Sequence, residues 1–174
     1  MKKMLATLSA AVIFSALTGG ATLAAPNDML APWTGGKTYQ CTQGNFGSYS
    51  HYDVWNQYAW DFALPSGTPV RAVSSGTITF KGWDTTGYGN KVVIRHPDGS
   101  YSQYAHNSSF GIYNVGQWVA RGSVVSYSGS SGNSSGPHLH FQIIDGNGYS
   151  QPSRFTDIGN PTAGYSYTSG NGTI

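Results

Sequence analysis

The chain has 174 residues with nine Lys or Arg, seven acidic residues and five His, for a formal charge of +2. That length holds one domain with its own core, and so small a charge excludes the basic footprint that nucleic acid requires. All seven acidic residues are Asp, which excludes a His-Glu-x-x-His zinc helix and any glutamate base.

The chain opens with Lys2 and Lys3, an apolar run from Met4 to Leu17, and Thr22-Leu23-Ala24. A positive start, a short apolar stretch and small residues at the cleavage positions predict a signal peptide over 1–24. The run is too short for a transmembrane helix, so a secreted or periplasmic protein without membrane insertion is expected. Without the two leader lysines, seven basic residues balance seven Asp. Residues 25–49 read as an irregular lead-in whose Trp33 and Phe46 can pack on the domain beyond it. The single cysteine, Cys41, has no internal partner and reads as a small buried apolar group.

From residue 50 the pattern is short alternating strands between turn residues, without helical periodicity. It predicts an all-β domain over 50–156, an antiparallel β-sandwich or half-open barrel with long groove-forming loops. Gly67–Ala72 and Gly76–Phe80 are the first two strands of that set, joined through residues 73–75. Lys91–Arg95 and Ser100–Ala105 flank His96-Pro97-Asp98-Gly99, where Pro presets one dihedral angle and Gly permits the next, so a hairpin is expected. Val115–Val119 and Ser123–Ser128 come next, split by Arg121-Gly122. The last strand, His138–Ile144, starts after Pro137, where a missing N–H costs little. Asp157–Ile174 reads as an extended or poorly ordered tail rich in Gly, Ser, Asn and Tyr.

The chemistry concentrates in a few residues. Side chains two apart on a strand share a face, so His138 and His140 project together while Leu139 and Phe141 enter the core. Imidazole is the commonest metal ligand and carries protons near neutral pH. Asp61 lies between Trp60 and Phe62, where an unpaired carboxylate is expensive to bury. It needs donors, a cation or a metal. His106 ends the strand Tyr104-Ala105-His106. His96 lies in the hairpin turn and reads as a solvated turn residue.

Taken together, Asp61-Phe62-Ala63-Leu64-Pro65-Ser66-Gly67-Thr68-Pro69-Val70, Tyr104-Ala105-His106 and His138-Leu139-His140 resemble the lysostaphin/β-lytic (staphylolysin-like) family of zinc peptidoglycan endopeptidases. Gly87-Tyr88-Gly89-Asn90-Lys91 and Val115-Gly116-Gln117-Trp118-Val119 fall in the same order, and the likeness covers about residues 50–145. It implies Asp61 and His140 as zinc ligands and His106 and His138 as catalytic residues. The common family pattern has its first ligand four residues before the Asp, where this chain has Gln57. His51, the one histidine upstream, is therefore taken as the first ligand, as in the branch with a longer spacer. One zinc per chain with two neutral imidazoles and one carboxylate keeps a net positive charge, which favours ionisation of a bound water.

The resemblance implies hydrolysis of peptide stems or cross-bridges of peptidoglycan by a monomer. Tyr49 is a candidate oxyanion donor, and the loops 84–90, 107–114 and 128–136 are expected to flank the groove. Two rival readings are a non-catalytic peptidoglycan-binding or hydrolase-regulating relative and an aromatic-rich β-sandwich lectin. Neither rival requires the five site residues together.

Overall fold

The strand Leu139–Ile144 is buried along its whole length, because both its faces are covered. Leu139, Phe141 and Ile143 enter the core, and His140 and Gln142 face the other way beneath loops. The computed structural model describes residues 25–172, so the proposed signal peptide lies outside the described residues. Among them are twelve strands and no helix: β1 (Thr38–Gln43), β2 (Trp60–Phe62), β3 (Pro69–Arg71), β4 (Gly76–Asp84), β5 (Gly89–Arg95), β6 (Tyr101–Ala105), β7 (Ser109–Phe110), β8 (Trp118–Val119), β9 (Val124–Tyr127), β10 (Leu139–Ile144), β11 (Ser150–Gln151) and β12 (Ser166–Thr168).

The main sheet runs β12-β1-β2-β10-β6-β5-β4-β8, with β11 on the free stretch of β10. A second sheet, β3-β9-β7, covers one face. All pairings are antiparallel. Val70 and Val125 of the small sheet join Phe62, Ile94, Tyr104 and Phe141 of the large one in a single apolar cluster. Burial of each such side chain stabilises the fold by about 1.5–3 kcal/mol. The Tyr104 hydroxyl ties the layers by accepting from the Val73 N–H at 2.9 Å. The expected all-β sandwich, not closed into a barrel, is what forms.

The β5–β6 hairpin turns at residues 96–99 as expected, with Gly99 at φ 90°. His96, however, is not solvated. It is buried, with Nδ1 2.9 Å from the Ser75 carbonyl and Nε2 2.9 Å from Ser102 Oγ. The turn backbone is exposed, but the imidazole folds back over the sheet to reach both partners. Burial lowers its pKa, against a smaller upward pull from the Ser75 carbonyl.

The two flanks are more ordered than expected. Residues 25–49 carry β1, and Met29, Trp33 and Cys41 belong to the core. Phe46 stays exposed at 62%. The Cys41 thiol donates to the Gln43 carbonyl, and burial pushes its pKa up to about 12, which makes it inert. The C-terminal stretch is packed up to the last described residues. β12 pairs with β1, Trp60 Nε1–H donates to the Pro161 carbonyl, and buried Asn171 donates to the carbonyls of Ala31 and Ala72. The two flanks hold each other, so neither shows an apolar period of its own.

Candidate metal centre

Asp61 on β2, His140 on β10 and Ala105 on β6 lie directly opposite one another across three strands. Opposed residues share a face, so Asp61 and His140 project together into a groove over the sheet. His106 comes one residue after Ala105, and a regular strand would turn it toward the core. Its φ of 61° turns it back. That conformation costs an L residue about 1–2 kcal/mol. It is held by the His106 N–H donating to the Tyr88 carbonyl at 2.9 Å and by its Nδ1, 2.8 Å from the Ser131 carbonyl. Strain of this kind gathers at functional sites.

His138 precedes β10 and is pinned by its N–H to the Gly129 carbonyl. Its Nδ1 sits 2.9 Å from the Gly136 carbonyl, which leaves Nε2 free, 3.9 Å from Asp61 Oδ1. The His106 and His138 rings are 4.6 Å apart, and His106 is 5.9 Å from His140. His51 arrives from the loop between β1 and β2 and is fully buried. Its Nδ1 is 3.0 Å from the Gly44 carbonyl, and its Nε2 is 3.4 Å from Asp61 Oδ1. His140 Nδ1 is 3.1 Å from the same oxygen.

This geometry tests whether the donors suit a metal. The Nδ1–H of His51 is committed to Gly44, so neutral Nε2 turns a lone pair toward a carboxylate oxygen with no hydrogen-bond partner. Two facing lone pairs in a buried site are costly unless a cation lies between them. His51, Asp61 and His140 each offer one donor atom, all within 4.8 Å of one another. At metal–ligand lengths of 2.0–2.2 Å, tetrahedral ligand edges measure about 3.3–3.6 Å. The observed 3.4 and 3.1 Å bracket the short end of that range. Two imidazoles and a carboxylate are a donor set suited to a divalent metal such as zinc.

Electrostatics agree with this. Burial pushes the Asp61 pKa up, but the hydrogen bond from His140 leads the effects that outweigh it, and the carboxyl is held well below the usual range. Burial lowers the His140 pKa, against an upward pull from Asp61, a shift toward the neutral form that metal ligation would require. Burial lowers His106 to about 4.

All five residues singled out in the sequence, His51, Asp61, His106, His138 and His140, meet in this one cluster, and Gln57 does not join it. Tyr49 is 81% exposed at the groove rim. The sequence reading missed Tyr88, whose ring lies 5.4 Å from His140 and whose hydroxyl donates to Asn56 Oδ1 at 2.6 Å. The groove walls also differ in part from expectation. Asp84, residues 86–88 and 133–137 line it, but 107–114 do not; residues 42–50, Tyr52, Asp53, Trp55, Asn56 and 160–163 line it as well. The aromatic series Phe46, Tyr49, Tyr52 and Trp55 was the available signal. The loop glycines serve loop packing: a Cβ at Gly132 would lie 2.4 Å from the Gly87 carbonyl oxygen.

An antiparallel sheet that carries two imidazoles and a carboxylate in ligand geometry, beside a second imidazole pair in an open groove, is the architecture of a metal-dependent hydrolase. The chain belongs to Peptidase family M23, whose sequence pattern matches residues 56–152. It is 50% identical over 82 residues to the DD-carboxypeptidase/endopeptidase Mpg of Neisseria meningitidis, covering 47% of this chain and 18% of that protein. It is 38% identical over 87 residues to the peptidoglycan DD-endopeptidase ShyA of Vibrio cholerae, covering 48% and 19%. The chain thus spans under a fifth of the length of these curated relatives. The crystallised catalytic domain of the antimicrobial peptidase lysostaphin from Staphylococcus simulans superposes with a TM-score of 0.52. It is 33% identical, over 67% of this chain and 88% of that one.

Proposed function

We propose that this protein is an exported, monomeric zinc endopeptidase that hydrolyses peptide bonds in bacterial peptidoglycan. The observation that carries the reading is the His51–Asp61–His140 donor cluster, with facing lone pairs, beside the His106–His138 pair. Family membership and the named activities of the relatives supply the substrate class. The likeness to the catalytic domain of lysostaphin supports it.

In this reading His51, Asp61 and His140 hold one zinc, which when bound polarises the scissile carbonyl and promotes ionisation of a water. The remaining work falls to the chain's own groups. His106 Nδ1–H is spent on Ser131, so its Nε2 is the basic atom and is the one placed to accept a proton. His138 Nδ1–H is likewise spent on Gly136, so its Nε2 is a lone pair that first takes up the proton released by the attacking water and then gives it to the leaving amine. Buried Asp61 stays ionised and fixes both ligand imidazoles. The open groove admits an extended peptide, with exposed aromatic rings along one wall.

The test is digestion of purified sacculi. The full-length protein with one equivalent of zinc should release new amino and carboxyl termini from peptide stems or cross-links, identified by mass spectrometry. No new termini with zinc bound would leave a binding role and sink the enzymatic reading.

A further inference from the structure

We infer that Gln43 is the positioning residue of the metal centre. It orients Asp61 and ties the loop that bears His51 to the sheet. The inference deepens the proposed metal reading and rests on it.

Gln43 ends β1, where a β-bulge intervenes. Cys41 pairs with Phe62, so regular register would set Thr42 opposite Asp61, but the extra residue brings Gln43 there instead. Bulges re-aim side chains in this way beside active sites. The Gln43 amide then uses both donors and both acceptor lone pairs. Nε2 donates to Asp61 Oδ2 at 2.9 Å and to Ser50 Oγ at 2.8 Å. Oε1 accepts from the N–H groups of Tyr49 and Ser50, both at 3.1 Å. These partners also fix which way the amide points, since its oxygen meets only N–H donors.

The consequence for the centre is geometric. Gln43 occupies Oδ2, so Oδ1 is the oxygen presented to His51 and His140. The same amide grips residues 49 and 50 and so sets the backbone from which His51 projects. One side chain therefore positions two of the three donors, which come from different elements. A second residue in the sequence is shaped by the arrangement. A Cβ on Gly47 would lie 2.4 Å from Gln43 Cγ, so only glycine leaves the amide its place.

The experiment measures zinc dissociation constants of the full chain by competition with a chromophoric chelator, with circular dichroism and melting of each metal-free protein alongside. Gln43→Met, similar in length but without donors, should bind zinc about 10–100-fold more weakly than wild type, the usual effect of removing a ligand's outer partner. Gly47→Ala should weaken binding in the same direction while leaving the amide in the sequence, and it decides the matter if Gln43→Met does not fold. Ser50→Ala removes one loop contact but keeps the Asp61 contact and both backbone N–H donors, so it should weaken binding less than Gln43→Met. Wild-type affinity in Gln43→Met overturns the assignment. An equal loss in Ser50→Ala also overturns it, because the Gln43–Asp61 contact would then add nothing to binding. Failure of the wild-type chain to take up zinc overturns the metal centre itself and this inference with it, and is seen separately from the variants.

Discussion

Asp61→Asn is the sharpest perturbation of the centre, because it removes one charge and almost no volume. A ligand that binds only the folded state adds stability that grows with its concentration over Kd, about 2.7 kcal/mol at 100 times Kd. For a chain of this size, each kcal/mol moves the melting temperature by about 2–4 °C. Wild type at that zinc level should therefore melt about 5–10 °C above its value in EDTA. Asp61 supplies the only anionic donor of the three and is the atom shared by the 3.1 and 3.4 Å contacts. Loss of a first ligand should exceed the 10–100-fold cost of losing an outer partner. At a hundredfold weaker affinity the same zinc adds only about 0.4 kcal/mol, so the variant should shift by about 1 °C. Comparing each protein with itself, with and without metal, removes any change in metal-free stability. Scanning calorimetry with elemental analysis reads both quantities. A full wild-type shift in Asp61→Asn, with one zinc retained, would refute the ligand assignment.

The proton-handling residues should separate from the ligands. His106→Ala and His138→Ala should keep zinc but lose roughly 10²-fold or more in wall-lytic rate, whereas His140→Ala should lose both; a zinc-free His106→Ala protein would show a ligand mistaken for a proton carrier. His96, remote from the metal donors, makes the fold itself pH-sensitive. Its folded pKa lies below the unfolded value of about 6.5. Below that pH the unfolded chain takes up a proton that the folded one refuses. The stability from neutral His96 is thus complete above about pH 6.5 and is lost as pH falls toward the folded pKa. Urea titrations in EDTA should show a smaller loss between pH 7.5 and 5 in His96→Gln than in wild type, and equal losses would contradict the buried neutral imidazole.

Much of the centre's chemistry is written locally. Leu139, Phe141 and Ile143 alternate with His140 and Gln142, and period-two burial follows from the pleat of a strand. Asp61 announces itself because a carboxylate between Trp60 and Phe62 must have partners. The β5–β6 hairpin follows from Pro97 and Gly99. These features depend on neighbours a few residues away, and a single sequence carries them.

Other features belong to the assembled sheet alone. β1 contributes one core side chain, Cys41, among polar residues, and its partner β12 lies more than 120 residues further on. Nothing within Thr38–Gln43 encodes that pairing. His96 looks like a solvated turn residue until Ser75 and Ser102 close around it. His106 faces the groove because contacts to Tyr88 and Ser131 sustain a left-handed backbone that its own residue type disfavours. Residue type and short-range spacing therefore determined that His138 and His140 share a strand face and that Asp61 needs partners, while the roles expected of the five site residues came from the family resemblance. Tertiary structure decided where His51 stands against Asp61, which Asp61 oxygen faces His51 and His140, and what walls the groove. These are distances between segments joined only by long-range register, loop packing and a bulge, and local pattern does not specify them.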